Sequence, residues 1–482
     1  MVTFPSAPPR TSPRWTLILT SLAFFMVTLD ALVVVTALTA IHRDLGASLS
    51  TLQWTVNAYT LAFAAGITTA AALGDRFGRR RIFIAGLLLF SAASAACALS
   101  PSVETLIGAR VLQGAAAAMV MPISLTILTA AFPPERRGAI VGIWGGLAGL
   151  GVASGPFIGG GLTETLSWHW VFWVNVPIGV AVAALSVLRL SESFGAATRL
   201  DLTAVALVSG GAIGIVLGLV DAGNQGWSSP ETILTLGLGL VLMAGFVAWE
   251  LRAQEPMLPM RLFRSVAFSS ANATGFFMSG SQFAAAFLIA QYFQMALHNS
   301  PLQAGLRVLP WTATPLVVAP IAGALSDRIG RRPLMAVGMA LQGAGFLWFA
   351  ALVGSGTGYW ASILPLVVAG IGVSMALPVT PAAVVSAVNP RDMGKASGVN
   401  STLQRFGSAF GVAIVTAVFA ASGSLSDAQS FTAGLQPALA AAALLSVLGA
   451  VAALGVTRPR VAAVPVAATI EPELVVVAEE AA

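Results

Sequence analysis

Charge is scarce in this sequence of 482 residues, because Asp, Glu, Lys and Arg make up only 9% of it. A soluble domain carries roughly 25% charged residues to keep its surface hydrated. Hydrophobic residues account for 57%, and the mean hydropathy is +0.87. So few polar groups cannot cover the outside of a chain this long, which excludes a soluble globular protein. The apolar content is also too high for a disordered or collagen-like chain.

Cysteine and histidine are almost absent as well. The single cysteine, Cys97, excludes an intrachain disulfide and any cysteine-based zinc or iron–sulfur site. The three histidines, His42, His169 and His298, map to separate predicted loops, so we predict no metal site and no cofactor. The sequence has no P-loop to bind ATP, and its glycine-rich stretches lie in hydrophobic runs rather than after a strand. These observations argue against an enzyme.

Long apolar runs are what the sequence has in abundance. In hydrocarbon every backbone N–H and C=O must be satisfied within its own segment, so each run of about 20 residues predicts a transmembrane helix. Fourteen runs follow when the charge-free stretch 333–390 is divided at the turn-rich segment Gly354–Gly358. The runs are Trp15–Ile41, Thr51–Leu73, Ile82–Val103, Thr105–Phe132, Gly138–Thr163, Trp170–Leu188, Leu202–Val220, Thr232–Trp249, Ser265–Leu297, Pro301–Ser326, the two parts of 333–390, Ala396–Ser426 and Ala428–Thr457.

The basic residues lie almost entirely on one side of this arrangement. Of the 24 Lys and Arg residues, 20 fall in the termini and in alternate connections. The positive-inside rule therefore predicts a multi-pass protein of the cytoplasmic membrane with both termini in the cytoplasm, which requires an even number of spans. Arginine outnumbers lysine 23 to 1, which hints at a GC-rich bacterial genome. We expect the Pro-rich leader 1–14 to be retained and the acidic tail 458–482 to be disordered.

A loop motif occurs twice in the chain. Gly74-Asp75-Arg76-Phe77-Gly78-Arg79-Arg80-Arg81 and Ser326-Asp327-Arg328-Ile329-Gly330-Arg331-Arg332-Pro333 share five of eight positions. Repeats in equivalent loops indicate a transporter built from two halves, with the substrate site between them. Two ordinary basic loops would explain the arginines but not the matched Asp and Gly. We predict a cytoplasmic gate formed by Gly74, Asp75, Arg76, Gly78, Arg79, Arg80, Asp327, Arg328, Gly330 and Arg331, in which Asp pairs with Arg and Gly permits a tight turn.

The first copy, Gly74–Arg80, resembles the signature loop of the major facilitator superfamily, whose common form has twelve spans with the copies six spans apart. Here the copies are eight spans apart, so the sequence is similar to the fourteen-span drug:proton antiporters of the EmrB/QacA type. Two positions depart from that family: Thr39 stands where the family usually has proline, and His169 stands where it usually has arginine. Five further segments carry the resemblance: Leu29-Asp30 with Thr36–Leu38, Leu52–Trp54 with Asn57, Tyr59 and Leu61, Arg110–Gly114, Gly151–Gly160, and Trp168–Phe172 with Asn175–Gly179.

This resemblance implies an all-α membrane protein with the major facilitator fold. Two six-helix bundles would carry two extra helices between them, giving fourteen transmembrane helices. The expected divisions are a leader 1–14, a first bundle 15–190, an inserted pair with its flanking loops 191–264, a second bundle 265–457 and a tail 458–482.

Two charged residues inside the predicted spans, Asp30 and Arg110, are the candidates for proton coupling. Asp30 lies about 22 Å from the inner end of the first run, and Arg110 enters the fourth run from the outer side. An ionised carboxylate in hydrocarbon is unfavourable, so Asp30 is expected to pair, to face water or to be protonated. A carboxylate that takes up a proton when Arg110 is displaced would couple proton flow to transport. A fixed structural ion pair and a contact with a cationic substrate are the alternatives.

Polar and aromatic residues on the second and fourth runs are predicted to line the substrate cavity, because aromatic walls with a few polar groups suit lipophilic molecules. They are Gln53, Trp54, Asn57, Tyr59 and Gln113. Trp54 and Tyr59 suit interfacial anchors equally well.

Two further features of the predicted spans remain. Arg307 and Arg405 are interpreted as side chains that snorkel to the ends of their spans. The fifth run contains Gly151, Gly155, Pro156, Gly159 and Gly160, which predict a kinked helix that packs closely on a neighbour. The resemblance implies that these five residues are the antiporter motif that seals the cavity, and generic small-residue packing is the alternative.

We therefore predict a proton-coupled efflux transporter that exports lipophilic or cationic drugs or antibiotics by alternating access. A dedicated exporter or importer of one metabolite, such as a self-made antibiotic, a sugar or a siderophore, is the main alternative. The duplicated loop argues against a receptor or scaffold that transports nothing. The predicted partners are the small molecule, protons and the lipid bilayer, with no nucleic acid, and the protein is expected to be monomeric.

Overall fold

A computed structural model describes residues 12–195, 201–254, 256, 258, 260–353, 359–389, 392–425 and 427–456. Most of the predicted leader and the tail lie outside the described residues, as do the side chains of several helical residues, Asp327 among them. Every regular element in the described ranges is a helix.

The described helices follow one another through short connections. They are α1 (Pro13–Leu45), α2 (Leu49–Phe77), α3 (Arg79–Ala98), α4 (Val103–Ala131), α5 (Pro134–Thr165), α6 (Trp170–Trp173), α7 (Asn175–Arg189), α8 (Leu202–Gln225), α9 (Pro230–Arg252), a 3-10 helix (Met260–Arg264), α10 (Val266–Met295), α11 (Pro301–Thr312), α12 (Thr314–Ile329), α13 (Arg331–Leu352), α14 (Tyr359–Ala376), α15 (Val379–Ser386), α16 (Met393–Ala420) and α17 (Ala428–Ala453).

Twelve of the described helices or helix pairs are long and apolar enough to cross a membrane. A thirteenth is added if the two parts of α2, Thr51–Ile67 and Thr69–Phe77, which meet at 48°, form one span. The prediction of an all-helical membrane protein is therefore confirmed. The count of fourteen stays a prediction, because within the described part of α5 only Ile143–Val152 qualifies, as a shorter apolar helix.

Three predicted spans are interrupted by a break between two helices. The breaks separate α6 from α7, α11 from α12, and α14 from α15. A proline follows each break closely, at Pro177, Pro315 and Pro381. Proline has no N–H to donate to the carbonyl four residues earlier, and its ring crowds that carbonyl, so the helix bends or breaks there.

Both copies of the repeated loop contain a glycine with positive φ. Gly78 joins α2 to α3 with φ +105°, and Gly330 joins α12 to α13 with φ +88°. L-residues with a side chain rarely adopt this conformation, so the predicted tight turn is confirmed in both copies. We call the end of the molecule that holds these loops the arginine-rich end, and the end that holds Ser102 and Ser300 the arginine-poor end.

The two bundles are in close contact at the arginine-poor end. A Cβ atom at Gly160 on α5 would collide with the carbonyl group of Pro301, and one at Gly305 on α11 would collide with that of Pro156. The Gln294 side chain donates a hydrogen bond to the Thr36 carbonyl at 2.9 Å. Absent side chains thus allow α5 and α11 to touch along their backbones.

Toward the arginine-rich end, the helices diverge. A Cβ atom at Gly145, Gly146 or Gly149 on α5, at Gly323 on α12, or at Gly398 on α16 would meet no atom within 4 Å. α5 also packs on α11 much more extensively than on α12. The described molecule is therefore closed at the arginine-poor end and more open at the other.

The inserted helices α8 and α9 lie against the junction of the two bundles. They pack closely on each other where Gly214 meets Gly239. Val208 and Val216 of α8 share one buried cluster with Leu61 of α2 and Phe406 of α16. α8 thus covers the line along which α2 of the first bundle meets α16 of the second, while much of α9 is exposed.

We predict that replacing Gly160 with valine opens the arginine-poor end. The added side chain would push α5 away from α11, and such overpacking costs roughly 1–3 kcal/mol. The reporter is a cysteine replacing Val308, which is 3% exposed in the closed contact, in a Cys97→Ala background. Gly160→Val should speed its labelling by a maleimide.

The adjacent Gly161→Val is the matched control, because a Cβ there would lie 3.7 Å from Leu302, an ordinary contact. Equal labelling rates in the two valine variants would show that Gly160 does not hold the end closed.

Candidate coupling site

Asp30 and Arg110 form an ion pair in the interior of the first bundle. Arg110 Nη1 donates to Asp30 Oδ2 at 2.6 Å, and both side chains are essentially unexposed. α1 carries the carboxylate and α4 carries the guanidinium, so the predicted approach from two helices is confirmed. Two opposite charges in this position neutralise each other, and the hydrogen bonds around them offset part of the cost of burying both.

Two amide side chains complete the shell of the carboxylate. Gln113 Nε2 and Asn175 Nδ2 each donate to Asp30 Oδ1 at 2.8 Å. Both amides also donate to Ser94 Oγ, at 3.2 and 3.1 Å, and Ser94 in turn donates to the Phe172 carbonyl at 2.8 Å. Asp30 thus accepts hydrogen bonds from three side chains on α4 and α7, and each of its oxygens faces at least one N–H group.

The guanidinium of Arg110 is held on its other sides by α2. Its Nε donates to the Thr55 carbonyl at 2.9 Å, and its central carbon lies 4.2 Å from the centre of the Tyr59 ring. A ring face attracts a cation, most strongly where water is excluded. Gly114 allows this packing, because a Cβ atom there would collide with the backbone of Tyr59.

A proton on Asp30 would compete with the three donors of this shell. A carboxylate with three donors around it accepts hydrogen bonds best when ionised. Oδ1 already accepts two hydrogen bonds, so a proton added there would require one amide donor to move away, whereas a proton on Oδ2 would weaken the hydrogen bond from Arg110. Removal of the negative charge would also leave Arg110 without its counter-charge, and an unpaired buried cation is unfavourable.

The five residues predicted to line a substrate cavity lie in two places. Gln113 and Tyr59 belong to the ion-pair shell, and Tyr59 is 2% exposed, so it is buried and is not an interfacial anchor. Trp54 packs on the cluster that joins α2 to α8 and α16. Gln53 Oε1 and both amide atoms of Asn57 are buried without a hydrogen-bond partner in the described part of the chain. Their role in binding stays a prediction.

A small apolar cavity lies between the bundles near the arginine-poor end. Its volume is about 20 Å³, room for about one water molecule. Leu32 and Thr36 of α1, Pro156 of α5 and Trp311 of α11 contribute to its wall, and none of the five predicted cavity residues does. Closure of this end therefore leaves almost no space between the helices there.

The predicted antiporter motif packs on α1 and α11. Cβ atoms at Gly151, Gly155 and Gly159 would lie against Thr28, Leu32 and Thr36, residues spaced one turn apart on α1. Gly160 meets α11 instead. The close packing expected from the sequence is confirmed, and it places α5 along the helix that carries Asp30.

The first copy of the repeated loop is bound by a segment that sequence analysis missed. Glu192, after α7, accepts hydrogen bonds from the backbone N–H groups of Arg80 at 2.9 Å and Arg81 at 3.3 Å. These groups begin α3, where a carboxylate is favoured by free N–H donors. A Cβ atom at Gly78 would lie 2.7 Å from the Glu192 carboxyl carbon, so the glycine also admits this side chain.

Pairing of Asp with Arg is confirmed in the first copy only. Asp75 pairs with Arg79 at 2.8 Å, and the backbone N–H of Gly195 donates to the Asp75 carbonyl at 3.1 Å. In the second copy the side chain of Asp327 lies outside the described residues. Among the described residues Arg328 and Arg331 form no ion pair, and Arg331 donates to Ser386. The two copies thus share their turn, and the Asp–Arg pair expected in the second copy stays a prediction.

The snorkelling interpretation is wrong for Arg405. Arg405 lies twelve residues after the start of α16, about 18 Å along a helix of 28 residues. Its guanidinium carbon lies 4.4 Å from the ring centre of Phe63, at the middle of α2. Arg307 lies near the arginine-poor end over the ring of Tyr359, which agrees with a position near a span end. The helix begins three residues before the apolar run Ala396–Ser426 and ends six residues before its end, so Arg405 lies nearer the middle of the helix than of the run.

Comparison with known proteins gives one family. The family model of the Major Facilitator Superfamily matches residues 20–249 and 271–478. The Tetracenomycin C resistance and export protein of Streptomyces glaucescens is 35% identical over 418 residues, covering 86% of this chain and 78% of that protein. The Multidrug resistance protein Stp of Mycobacterium tuberculosis is 36% identical over 411 residues, covering 84% and 76%.

A solved structure shares the fold. It is a bacterial homolog of the human lysosomal transporter Spinster, in an inward-facing and occupied conformation. The TM-score is 0.67 at 16% sequence identity, and the match covers 93% of this chain and 97% of that one.

We predict that Arg110→Gln destabilises the protein strongly, because it leaves the Asp30 carboxylate buried without its counter-charge. The expected loss is roughly 3–5 kcal/mol of unfolding free energy, and the double variant Asp30→Asn/Arg110→Gln should recover part of it. Urea unfolding of purified protein in detergent measures both. Arg43→Gln, at an exposed arginine, is the control. Strictly additive effects of the two single changes would contradict the coupling between them.

We also predict that Glu192→Gln loosens the start of α3. Removal of an acceptor at a helix N-terminus costs roughly 0.5–2 kcal/mol. Hydrogen–deuterium exchange of the amides of residues 79–82 should become faster. Glu104→Gln is the matched control, since Glu104 is an exposed acid in the first turn of α4. Unchanged exchange at 79–82 in Glu192→Gln would show that Glu192 does not stabilise the start of α3.

Proposed function

This chain belongs to the major facilitator superfamily and is a multi-pass membrane transporter, and on that premise we propose that it is a proton-coupled exporter of lipophilic drugs or antibiotics. The observation that carries the proposal is the shell of Asp30, in which three donors and no acceptor face the carboxylate. Uptake of a proton would remove the negative charge that all three donors share and weaken their hydrogen bonds, so proton binding would favour helix movement.

The packing of α5 supports an alternating-access cycle. Its glycines close the arginine-poor end against α1 and α11, while Gly145, Gly146 and Gly149 nearer the other end border open space. If the arginine-rich end is cytoplasmic, as the positive-inside rule predicts, the described state faces the cytoplasm and is ready to receive substrate. Protonation of Asp30 from the other side would then follow after the helices have reversed. The loops around Asp75 and Asp327 would act as the gate at the cytoplasmic end.

Export is supported by the relatives. One is named for resistance to and export of Tetracenomycin C, and another for multidrug resistance. The first name also supports the second candidate, a dedicated exporter of a single antibiotic. We also propose that the protein has fourteen spans, lies in the cytoplasmic membrane and is a monomer.

We expect everted membrane vesicles to accumulate fluorescent lipophilic dyes when their interior is made acidic. Asp30→Asn should reduce accumulation to the level of vesicles without the protein, because the coupling carboxylate is gone. Asp221→Asn, at an acid near the end of α8, is the matched control and should resemble the native protein.

Two results would contradict the proposal. One is accumulation that persists after an uncoupler has collapsed the gradient. The other is an Asp30→Asn variant that transports as well as the native protein. A panel of dyes of different shape separates the two candidates, since a dedicated exporter should accept few of them.

A further inference from the structure

Arg405 is a charged side chain in the middle of the membrane region that the coupling site does not use. It belongs to α16 of the second bundle, and its guanidinium lies over Phe63 of α2 in the first. A charged residue at this depth marks a path for substrate or ions, because its burial in hydrocarbon is otherwise unfavourable.

No carboxylate neutralises Arg405 in the described part of the chain. Asp30, the acidic residue in the membrane part of α1, is already paired with Arg110 and hydrogen-bonded to two amides. The polar neighbours of Arg405 on its own helix are uncharged: Gln404 donates to Asn400 at 2.8 Å, and Asn400 donates to Asn272 at 3.3 Å. The junction of α2 and α16 therefore carries a positive charge.

The face of α16 that carries Arg405 borders open space two turns nearer the arginine-rich end. Gly398 lies seven residues before Arg405, two turns along nearly the same face of α16. A Cβ atom at Gly398 would meet nothing within 4 Å, and Arg405 itself is partly exposed. A molecule that entered along this face of α16 would approach the guanidinium and the Phe63 ring together.

We propose that Arg405 makes this transporter select anionic or acceptor-rich aromatic molecules over cationic ones. This inference rests on the proposed exporter function and adds the charge class of its substrate. A carboxylate, phenolate or quinone oxygen accepts hydrogen bonds from a guanidinium, and a planar ring packs beside Phe63. A cationic molecule is repelled by the same group and finds Asp30 already paired. Of the lipophilic or cationic substrates expected from the sequence, this inference keeps the lipophilic ones and disfavours the cationic ones.

The test compares two dyes with the same ring system and opposite charge, fluorescein and rhodamine 6G. Binding to purified protein is followed by fluorescence anisotropy, and proton-driven accumulation is followed in everted vesicles. We expect the native protein to prefer fluorescein, and Arg405→Gln to lower the fluorescein-to-rhodamine ratio of affinities by roughly tenfold or more. Arg405→Lys keeps the charge and should keep most of the preference.

Arg307→Gln is the matched control, because Arg307 also stacks on an aromatic ring but lies near the arginine-poor end. A native preference for rhodamine 6G, or an equal loss of both dyes in Arg405→Gln with the unfolding temperature unchanged, would overturn the inference. Should Arg405→Gln not fold, the charge preference of Arg405→Lys and of the native protein decides. Absence of proton-driven accumulation combined with Arg405-dependent binding of fluorescein would count against the exporter proposal and leave the charge selectivity supported.

Discussion

The salt bridge between Asp30 and Arg110 exists inside the first bundle because donors surround both oxygens of the carboxylate. Water cannot supply these hydrogen bonds in hydrocarbon, so side chains from α4 and α7 and a carbonyl of α2 supply them instead. The positions of α1, α2, α4 and α7 are thus tied to one charge. Any change in that charge alters the balance of contacts among four helices, which is the property that a proton-driven transporter requires.

The glycines of α5 are the second constraint, and they act where α5 packs on α1 and α11. The glycines of α5 let its backbone touch α1 and α11 at the arginine-poor end, whereas a Cβ atom at Gly145, Gly146 or Gly149, nearer the other end, would meet no atom within 4 Å. A contact made of small residues has little interlocking of side chains to lose when it opens. Because α5 packs directly on the helix that carries Asp30, closure of this end and the state of the ion pair involve the same element.

Much of the fold could be predicted from the sequence, since hydrocarbon permits few arrangements of backbone. Apolar runs predicted the helices, Gly78 and Gly330 the turns, and Asp30 with Arg110 the ion pair. The contact of Glu192 with the start of α3 could not be predicted, because it depends on a loop segment far from α3 in the sequence. Asn175 lay in a family-like segment, but nothing in its spacing indicated that it would reach Asp30. The place of Arg405 was missed because a run of apolar residues does not show where its helix begins and ends.

α2 connects the ion pair with the charge at the bundle junction. Arg110 lies over the ring of Tyr59, and Arg405 of the other bundle lies over the ring of Phe63, one turn further along the same helix. The two rings meet edge to face, with centres 5.9 Å apart. Both contacts pull a cation toward the face of α2, one from each bundle. Displacement of Arg110 would remove one of these attractions and free α2 to shift relative to α16. A substrate oxygen that draws Arg405 away from Phe63 would remove the other, so proton and substrate would act on the same helix from opposite sides.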